Sequence, residues 1–425
     1  MFTPRPWKAL SFLAASALIV SGCSASAAPA ASAPTPSVTA TIGCVTDPAA
    51  VVARPLDAPA TPLPDALVQQ LRATTEASRA QISAPGAIVA IQTPEGRWVE
   101  AFGLADPATG REMTVADAQR VGSITKTFTG TLILQLVEDG EISLDDPISE
   151  YVDSVPNGEN ITLRMLVTMV SGLASYTLED TFQQDWFNNP QKEWTAQQLL
   201  DDAFALPPLF PPGAEFNYSN TNFVLLGEVI EKVTDRTYEE EFDERIFEPL
   251  GLSSTFVPPS TDLPDPHSIG FTMQSTASNA TEPVNATNWS PSFARTAGVL
   301  VSTTEDLLVW GRALATGNGI LDTQTQIERL TFPAKGGYGQ AVGCINGWVG
   351  HTGELPGYNT SVFYDTGNDI TIITLTNSDI PSGECTTSQT LPSNPSTGDC
   401  MAPATHLFVD LSKTLGNEFI PNPMS

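Results

Sequence analysis

Three short segments hold residues whose types suit acyl transfer: Ser123-Ile-Thr-Lys126, Tyr218-Ser-Asn220 and His351-Thr352-Gly353. A serine and a lysine three positions apart on a helix share one face, so the amine can reach the hydroxyl. A serine hydroxyl is a weak nucleophile until a base takes its proton, and a lysine of lowered pKa can be that base. A serine at a helix start also meets unpaired backbone N–H groups and the positive end of the dipole, which suits the oxyanion of an acyl-enzyme. The chain has only six lysines, and Ser123–Lys126 is its single S-x-x-K.

Tyr218 and Asn220 follow Phe210-Pro-Pro-Gly213, which forces a loop, and a helix is expected from about Asn222. A tyrosine beside a lysine is expected to hold a lowered pKa and relay protons, and the Asn220 amide to orient the substrate or the lysine. At the end of a strand, the Thr352 hydroxyl and the His351 imidazole can meet a substrate carboxylate, and Gly353 permits close backbone approach. The N–H of Glu354 would then join that of Ser123 in an oxyanion hole. Each segment alone also fits an ordinary role: a helix start, a packed loop tyrosine, a turn. Their joint order is what points to chemistry. A Ser-His-Asp triad fits poorly, because no G-x-S-x-G elbow occurs and only His267, His351 and His406 could serve as base.

The elements that must position these residues are legible in outline. A helix is expected near Ala66–Ala80, then strands at Gly86–Thr93 and Trp98–Phe102 joined by the turn Pro94-Glu-Gly96. Apolar residues recur at helical spacing from Ser123 to Asp139, with Gly140 as the stop. A mainly helical stretch reaches about Arg329. Strands follow at about Gly343–Gly350, Thr360–Asp365 and Ile370–Thr376, with turns at Gly357 and Gly367-Asn368, and a last helix near Ala404–Leu415. Strands at both ends around a helical block predict an α/β (α+β) fold, an antiparallel sheet flanked by helices. The sheet subdomain is expected over about 65–122 plus 295–425, and the helical subdomain over about 123–294.

The 425 residues carry a formal net charge of -29, which disfavours nucleic acid and anionic lipid surfaces. Residues 1–22 combine Arg5, Lys8 and a short apolar run from Ala9 to Val20, the pattern of a signal peptide. Small residues just before Cys23 resemble a bacterial lipobox, with Cys23 the lipidated first residue and a lipid the only membrane anchor. Residues 23–64, rich in Ala, Pro, Ser and Thr, are expected to be a tether. An exported chain is free to form disulfides, and four cysteines remain. Cys385 and Cys400 bracket a Ser/Pro/Thr-rich insertion, which favours a local bridge and leaves Cys44 with Cys344. No C-x-x-C occurs and the histidines are far apart, so neither metal nor cofactor is expected.

In this order the three motifs resemble those of serine β-lactamases and penicillin-recognising DD-peptidases, specifically the class C-like branch with Y-x-N, and H-T-G in place of K-T-G. The resemblance runs from about Ala66 to Leu415. It implies Ser123 as nucleophile, Lys126 as its proton partner and Tyr218 as donor to the leaving group and activator of water. Asn220 would orient substrate, and His351 with Thr352 would face its carboxylate. It further implies a D-alanyl-D-alanine carboxypeptidase or D-amino-acid peptidase acting on peptidoglycan peptides and acylated by β-lactams; a monomer is expected. A β-lactamase or esterase on the same site is the sibling reading, and a non-catalytic peptidoglycan-binding lipoprotein the reading from another class. Three departures stand out. Met169-Val-Ser-Gly-Leu173 replaces the more usual His-Thr-Ser-Gly-Leu, Glu354 stands where a small or hydroxyl residue is more usual, and no arginine precedes His351 on its strand, which leaves Arg295 as the nearest candidate for that job.

Overall fold

The computed structural model describes residues 44–274, 281–332, 337–386, 388–395 and 397–421. The expected signal peptide, the lipidated Cys23 and the tether as far as residue 43 lie outside the described residues. Strands β1 (Gly86–Thr93), β2 (Gly96–Asp106) and β3 (Arg111–Glu112) come first, then the short pieces β4 (Gln119–Arg120), β5 (Phe271–Thr272), β6 (Val284–Asn285) and β7 (Val301–Ser302). The C-terminal part adds β8 (Gly343–Ile345), β9 (Trp348–Leu355), β10 (Tyr358–Asp365) and β11 (Ile370–Thr376). Seven of these form one antiparallel sheet in the order β3-β2-β1-β11-β10-β9-β8. The chain's two ends therefore meet at the β1–β11 pair, as the placement of strands around a helical block predicts.

β1, β10 and β11 are buried at every residue, because both faces of the sheet are covered. Val89, Ile91, Phe363 and Ile372 pack with Leu71, Phe408 and Leu411, which come from helix α2 (Asp65–Arg79) and the C-terminal helix Pro403–Thr414. Ile88, Ala90, Val362 and Ile373 join the larger core on the opposite face, which contains Phe128 and Trp310 stacked at 3.7 Å between ring centroids. The alternation of β-branched residues toward two apolar layers is what fixes the register, since a one-residue slip would exchange the faces.

The first of the three expected C-terminal strands departs from the sequence expectation. The stretch Gly343–Gly350 is a hairpin rather than one strand: Asn346 and Gly347 take φ of 51° and 82°, the two left-handed positions of a type I′ turn. β8 pairs with β9 only from Gly343↔Gly350 to Ile345↔Trp348. Beyond Gly350 the outer edge of β9 has no strand beside it among the described residues.

The stretch expected as a tether up to Pro64 is, from Cys44 on, packed onto the sheet. Helix α1 (Pro48–Val52) is capped by Asp47, and Val45, Val51 and Leu63 are buried. Arg54 donates to the Tyr364 hydroxyl at 2.8 Å and to the Thr366 carbonyl at 2.9 Å, and Thr61 and Leu63 exchange backbone hydrogen bonds with Arg97 on β2. Low apolar content suggested a loose segment, but a few well-placed valines and leucines with one covalent link hold it down. That link is Cys44–Cys344, and Cys385–Cys400 is also formed. Cys44–Cys344 closes a separation of 300 residues. The double variant Cys44→Ser/Cys344→Ser is expected to lose about 2–5 kcal/mol of stability in denaturant unfolding, and a loss below about 0.5 kcal/mol would show that packing alone holds the segment.

Candidate active site

The nucleophile turn sits where a helix start meets the open strand edge. Gly122–Ile124 form a single 3-10 turn that leads into helix α3 (Thr125–Glu138). Gly122 has φ of 52°, and a Cβ there would lie 2.5 Å from the Glu354 amide nitrogen. A Cβ on Gly353 would lie 1.9 Å from the Val121 carbonyl oxygen. Both glycines are therefore required by backbone-to-backbone contact between β9 and the Ser123 turn. That contact sets the Ser123 and Glu354 amides on adjoining segments, the arrangement an oxyanion hole needs.

Lys126 Nζ lies 2.9 Å from Ser123 Oγ and 2.6 Å from the Ala297 carbonyl oxygen. It is fully buried, with the Tyr218 ring centroid 5.0 Å and the Phe223 centroid 5.7 Å away. No carboxylate pairs with it among the described residues. Desolvation alone therefore holds its pKa well below the ordinary lysine value. A neutral amine has one lone pair to accept the Ser123 proton and N–H groups to donate to Ala297, which fits its two neighbours.

Tyr218 lies against Ser123, but its pKa is raised, not lowered as the sequence suggested: apolar surroundings outweigh the opposing hydrogen bond from Ser123. The neighbouring lysine supplies no positive charge to stabilise a phenolate. Of the two, Lys126 is therefore the better suited to accept a proton and Tyr218 to donate one. Tyr218→Phe is expected to slow acylation by amides about 100- to 1000-fold while sparing the acylation burst of a nitrophenyl ester, whose leaving group needs no proton. Equal losses on both would remove the relay role.

His351 is 7% exposed and its pKa is lowered to about 4 by burial first and by Lys126 second. One ring nitrogen bonds the Thr352 carbonyl and Nε2 lies 3.2 Å from the Tyr338 hydroxyl. It is a neutral, occupied imidazole across the neutral pH range, so it provides no cation for a carboxylate. Tyr338, 6.2 Å from Tyr218 between ring centroids, is a wall residue that the sequence did not reveal. Its setting in Gly-Gly-Tyr-Gly signals only a turn.

Asn220 is the first residue of the helix Asn220–Thr234, not a loop residue, and its Nδ2 donates to Thr177 Oγ1 at 3.1 Å. Arg295 does not join the site. Its guanidinium lies 3.5 Å and 3.8 Å from Glu228 and Glu231 and stacks over Tyr238, so nearby carboxylates satisfy it elsewhere. Met169 keeps a weak polar contact where a histidine is more usual: its sulfur lies 3.4 Å from the Ser219 amide nitrogen and 3.5 Å from Asn222 Nδ2.

A cavity of ≈ 780 Å³ runs along the β9 edge, lined by Tyr218, Tyr338, His351, Thr352, Gly353 and Glu354 among others. A hollow of ≈ 890 Å³ lined by Lys192, His267 and Trp289 is larger but contains none of the residues that could acylate. No group of acidic, histidine or cysteine residues among the described ones could hold a metal ion, and none of their helices is long and apolar enough to cross a membrane.

The comparisons with known proteins agree with this geometry. The family model described as "Beta-lactamase" matches residues 65–388. A D-stereospecific amidohydrolase from Streptomyces sp. is 33% identical, covering 75% of this chain and 95% of that one, with a TM-score of 0.66. The D-amino acid amidase from Ochrobactrum anthropi SV3 is 27% identical, covering 73% and 92%, with a TM-score of 0.65. Protein flp from Staphylococcus aureus (strain MRSA252) is 26% identical over 271 residues, 60% of this chain and 52% of that protein, so the chain spans about half the length of such curated relatives. With the matched model covering most of its length, this chain belongs to the beta-lactamase family.

Proposed function

We propose that the chain is a serine hydrolase that forms and hydrolyses an acyl-enzyme on Ser123, with D-amino-acid amides and peptides of the cell-wall type as substrates. The observation that carries the reading is Lys126 Nζ, buried without a carboxylate partner, 2.9 Å from Ser123 Oγ. The Ser123 proton passes to Lys126 as Oγ attacks the carbonyl, and Tyr218 delivers a proton to the departing nitrogen as the C–N bond breaks. Water then attacks the ester, gives one proton back through the same pair to Ser123, and releases the acid. The oxyanion of each tetrahedral stage faces the amides of Ser123 and Glu354. Asn220, Thr352 and Gly353 form the surrounding wall. The similarity to a D-stereospecific amidohydrolase and a D-amino acid amidase supports the substrate class. A DD-carboxypeptidase is the second reading, favoured by the H-T-G order of the motifs.

The setting belongs to the same proposal: export by residues 1–22, lipidation at Cys23, and a monomeric domain that begins by about residue 44 and faces the cell wall. The two disulfides support an oxidising compartment. Labelled penicillin followed by intact mass tests the chemistry. An adduct on Ser123, absent from Ser123→Ala, is expected. A long-lived adduct marks a peptidase, rapid loss a β-lactamase, and ester cleavage without an adduct an esterase. No adduct and no cleavage of any ester or amide would leave only a binding lipoprotein.

A further inference from the structure

The wall beside the nucleophile has an unusual charge for a family whose motifs usually face a substrate carboxylate. Thr352 and Glu354 alternate to one side of β9, opposite His351 and Gly353. Thr352 and Glu354 oppose Ser361 and Asn359 on β10. Among the described residues that line the ≈ 780 Å³ cavity there is no lysine or arginine, and Glu354 is the only carboxylate. Glu354 is exposed into it. Its carboxyl is pushed up to about 8, by desolvation first and by Asp379 second, so the side chain carries its full negative charge only in mildly alkaline solution. Asp379 is itself occupied, accepting from Thr272 Oγ1 at 2.8 Å, Gln274 Nε2 at 2.6 Å and the Gly357 amide at 3.2 Å.

Among the described residues, the cations nearest the nucleophile are committed elsewhere. Lys126 is buried against Ser123 and Ala297, His351 is neutral, and Arg295 is held by Glu228 and Glu231. Tyr218, which passes the proton to the departing nitrogen, lines the same cavity as Glu354. The leaving group therefore departs into a space whose fixed charge, among the described residues, is negative once Glu354 is ionised.

We propose that Glu354 sets the charge accepted on the leaving group: it favours a leaving amine that carries an ammonium group and disfavours one that carries a free carboxylate. This rests on the acyl-enzyme reading above and places the chain among hydrolases of cationic or amidated D-amino-acid derivatives, away from DD-carboxypeptidases. Like charges at close range repel and unlike ones attract, and at a partly open wall both effects are screened by salt.

Three size-matched amides of N-acetyl-D-alanine test it on the full chain. The amine is D-alanine, D-alaninamide, or the diamine in which an aminomethyl group replaces the carboxylate. At low salt and about pH 9, where Glu354 is ionised, kcat/KM is expected to rise about tenfold at each step from carboxylate to carboxamide to ammonium, and the spread to shrink at 0.5 M salt. Glu354→Gln should bring the ammonium-to-carboxylate ratio to within about threefold of unity, and Glu354→Lys should invert it. The ratio within one variant cancels any general loss from disturbing the Glu354 backbone, and the salt response of the wild type needs no variant. A wild-type ratio at or below one, or a ratio unmoved by both substitutions, overturns the proposal while a neutral nitrophenyl ester still acylates Ser123. If Ser123→Ala cleaves that ester as fast as the wild type, the acyl-enzyme reading fails and the proposal falls with it.

Discussion

Replacing Ser123 by alanine is expected to lower turnover of amides and esters by about 10⁴- to 10⁶-fold and to abolish any covalent penicillin adduct. The substitution removes one oxygen from a partly buried turn, and no described contact of the fold depends on it beyond Lys126 and Tyr218. Circular dichroism and melting should therefore stay close to wild type. The residual rate would come from substrate binding and the amides of the proposed oxyanion hole, which the variant keeps. Combining Ser123→Ala with a Lys126 variant should cost little more than either alone, since the two act as one unit. Additive losses would mean that Lys126 has a separate role.

Lys126→Met is expected to reduce kcat about 10³- to 10⁴-fold while raising thermal stability, an opposition few substitutions produce. Methionine fills a similar volume without a group that prefers to be charged. The sign follows from burial. The folded-state pKa of Lys126 is depressed below its value of 10.5 in an exposed side chain. Between those two values the unfolded chain binds a proton that the folded chain lacks, so wild-type stability falls as pH drops through this window. The gain of Lys126→Met is accordingly present at neutral pH, at about 2–4 °C in Tm per kcal/mol, and disappears above about pH 10.5. A melting point equal to or below wild type at pH 7 would show that the ammonium is compensated in the folded state. The same depression sets the rate profile: activity is lost as pH falls through the folded pKa of Lys126. Because His351 titrates only near 4, it contributes no inflection between pH 5 and 8.

These two expectations also separate roles that look alike in sequence. Lys126 and His351 are both basic side chains of conventional catalytic type. In the structure one is a lysine made neutral by desolvation next to a hydroxyl, and the other is an imidazole with both nitrogens engaged. Only the first has a proton to accept.

Much of the fold was legible because it is written in local pattern. The helix expected near Ala66–Ala80 is Asp65–Arg79, and the strand at Ile370–Thr376 is found as read. Runs such as Ile370-Thr-Ile-Ile-Thr-Leu-Thr376 leave few alternatives to a strand, and i,i+3 spacing places Ser123 and Lys126 together whatever packs around them. The turn at Asn346-Gly347 was not read from the sequence, which suggested one strand over Gly343–Gly350, although Asn-Gly between apolar runs is a strong hairpin signal. Both cysteine pairs follow from position along the chain and are present.

The sequence alone thus determined which side chains are available, their order, and the helix and strands that present them. Tertiary structure decided their chemical states and partners. It lowered the pKa of Lys126 and raised that of Tyr218, drew Arg295 to Glu228 and Glu231, engaged Asn220 with Thr177, and set Tyr338 against His351. It also turned residues 44–64 from an expected tether into part of the packed domain. The physical reason is common to all of them. Spacing along a helix or strand is fixed by backbone geometry within a few residues, whereas desolvation and charge pairing depend on neighbours brought from tens to hundreds of positions away.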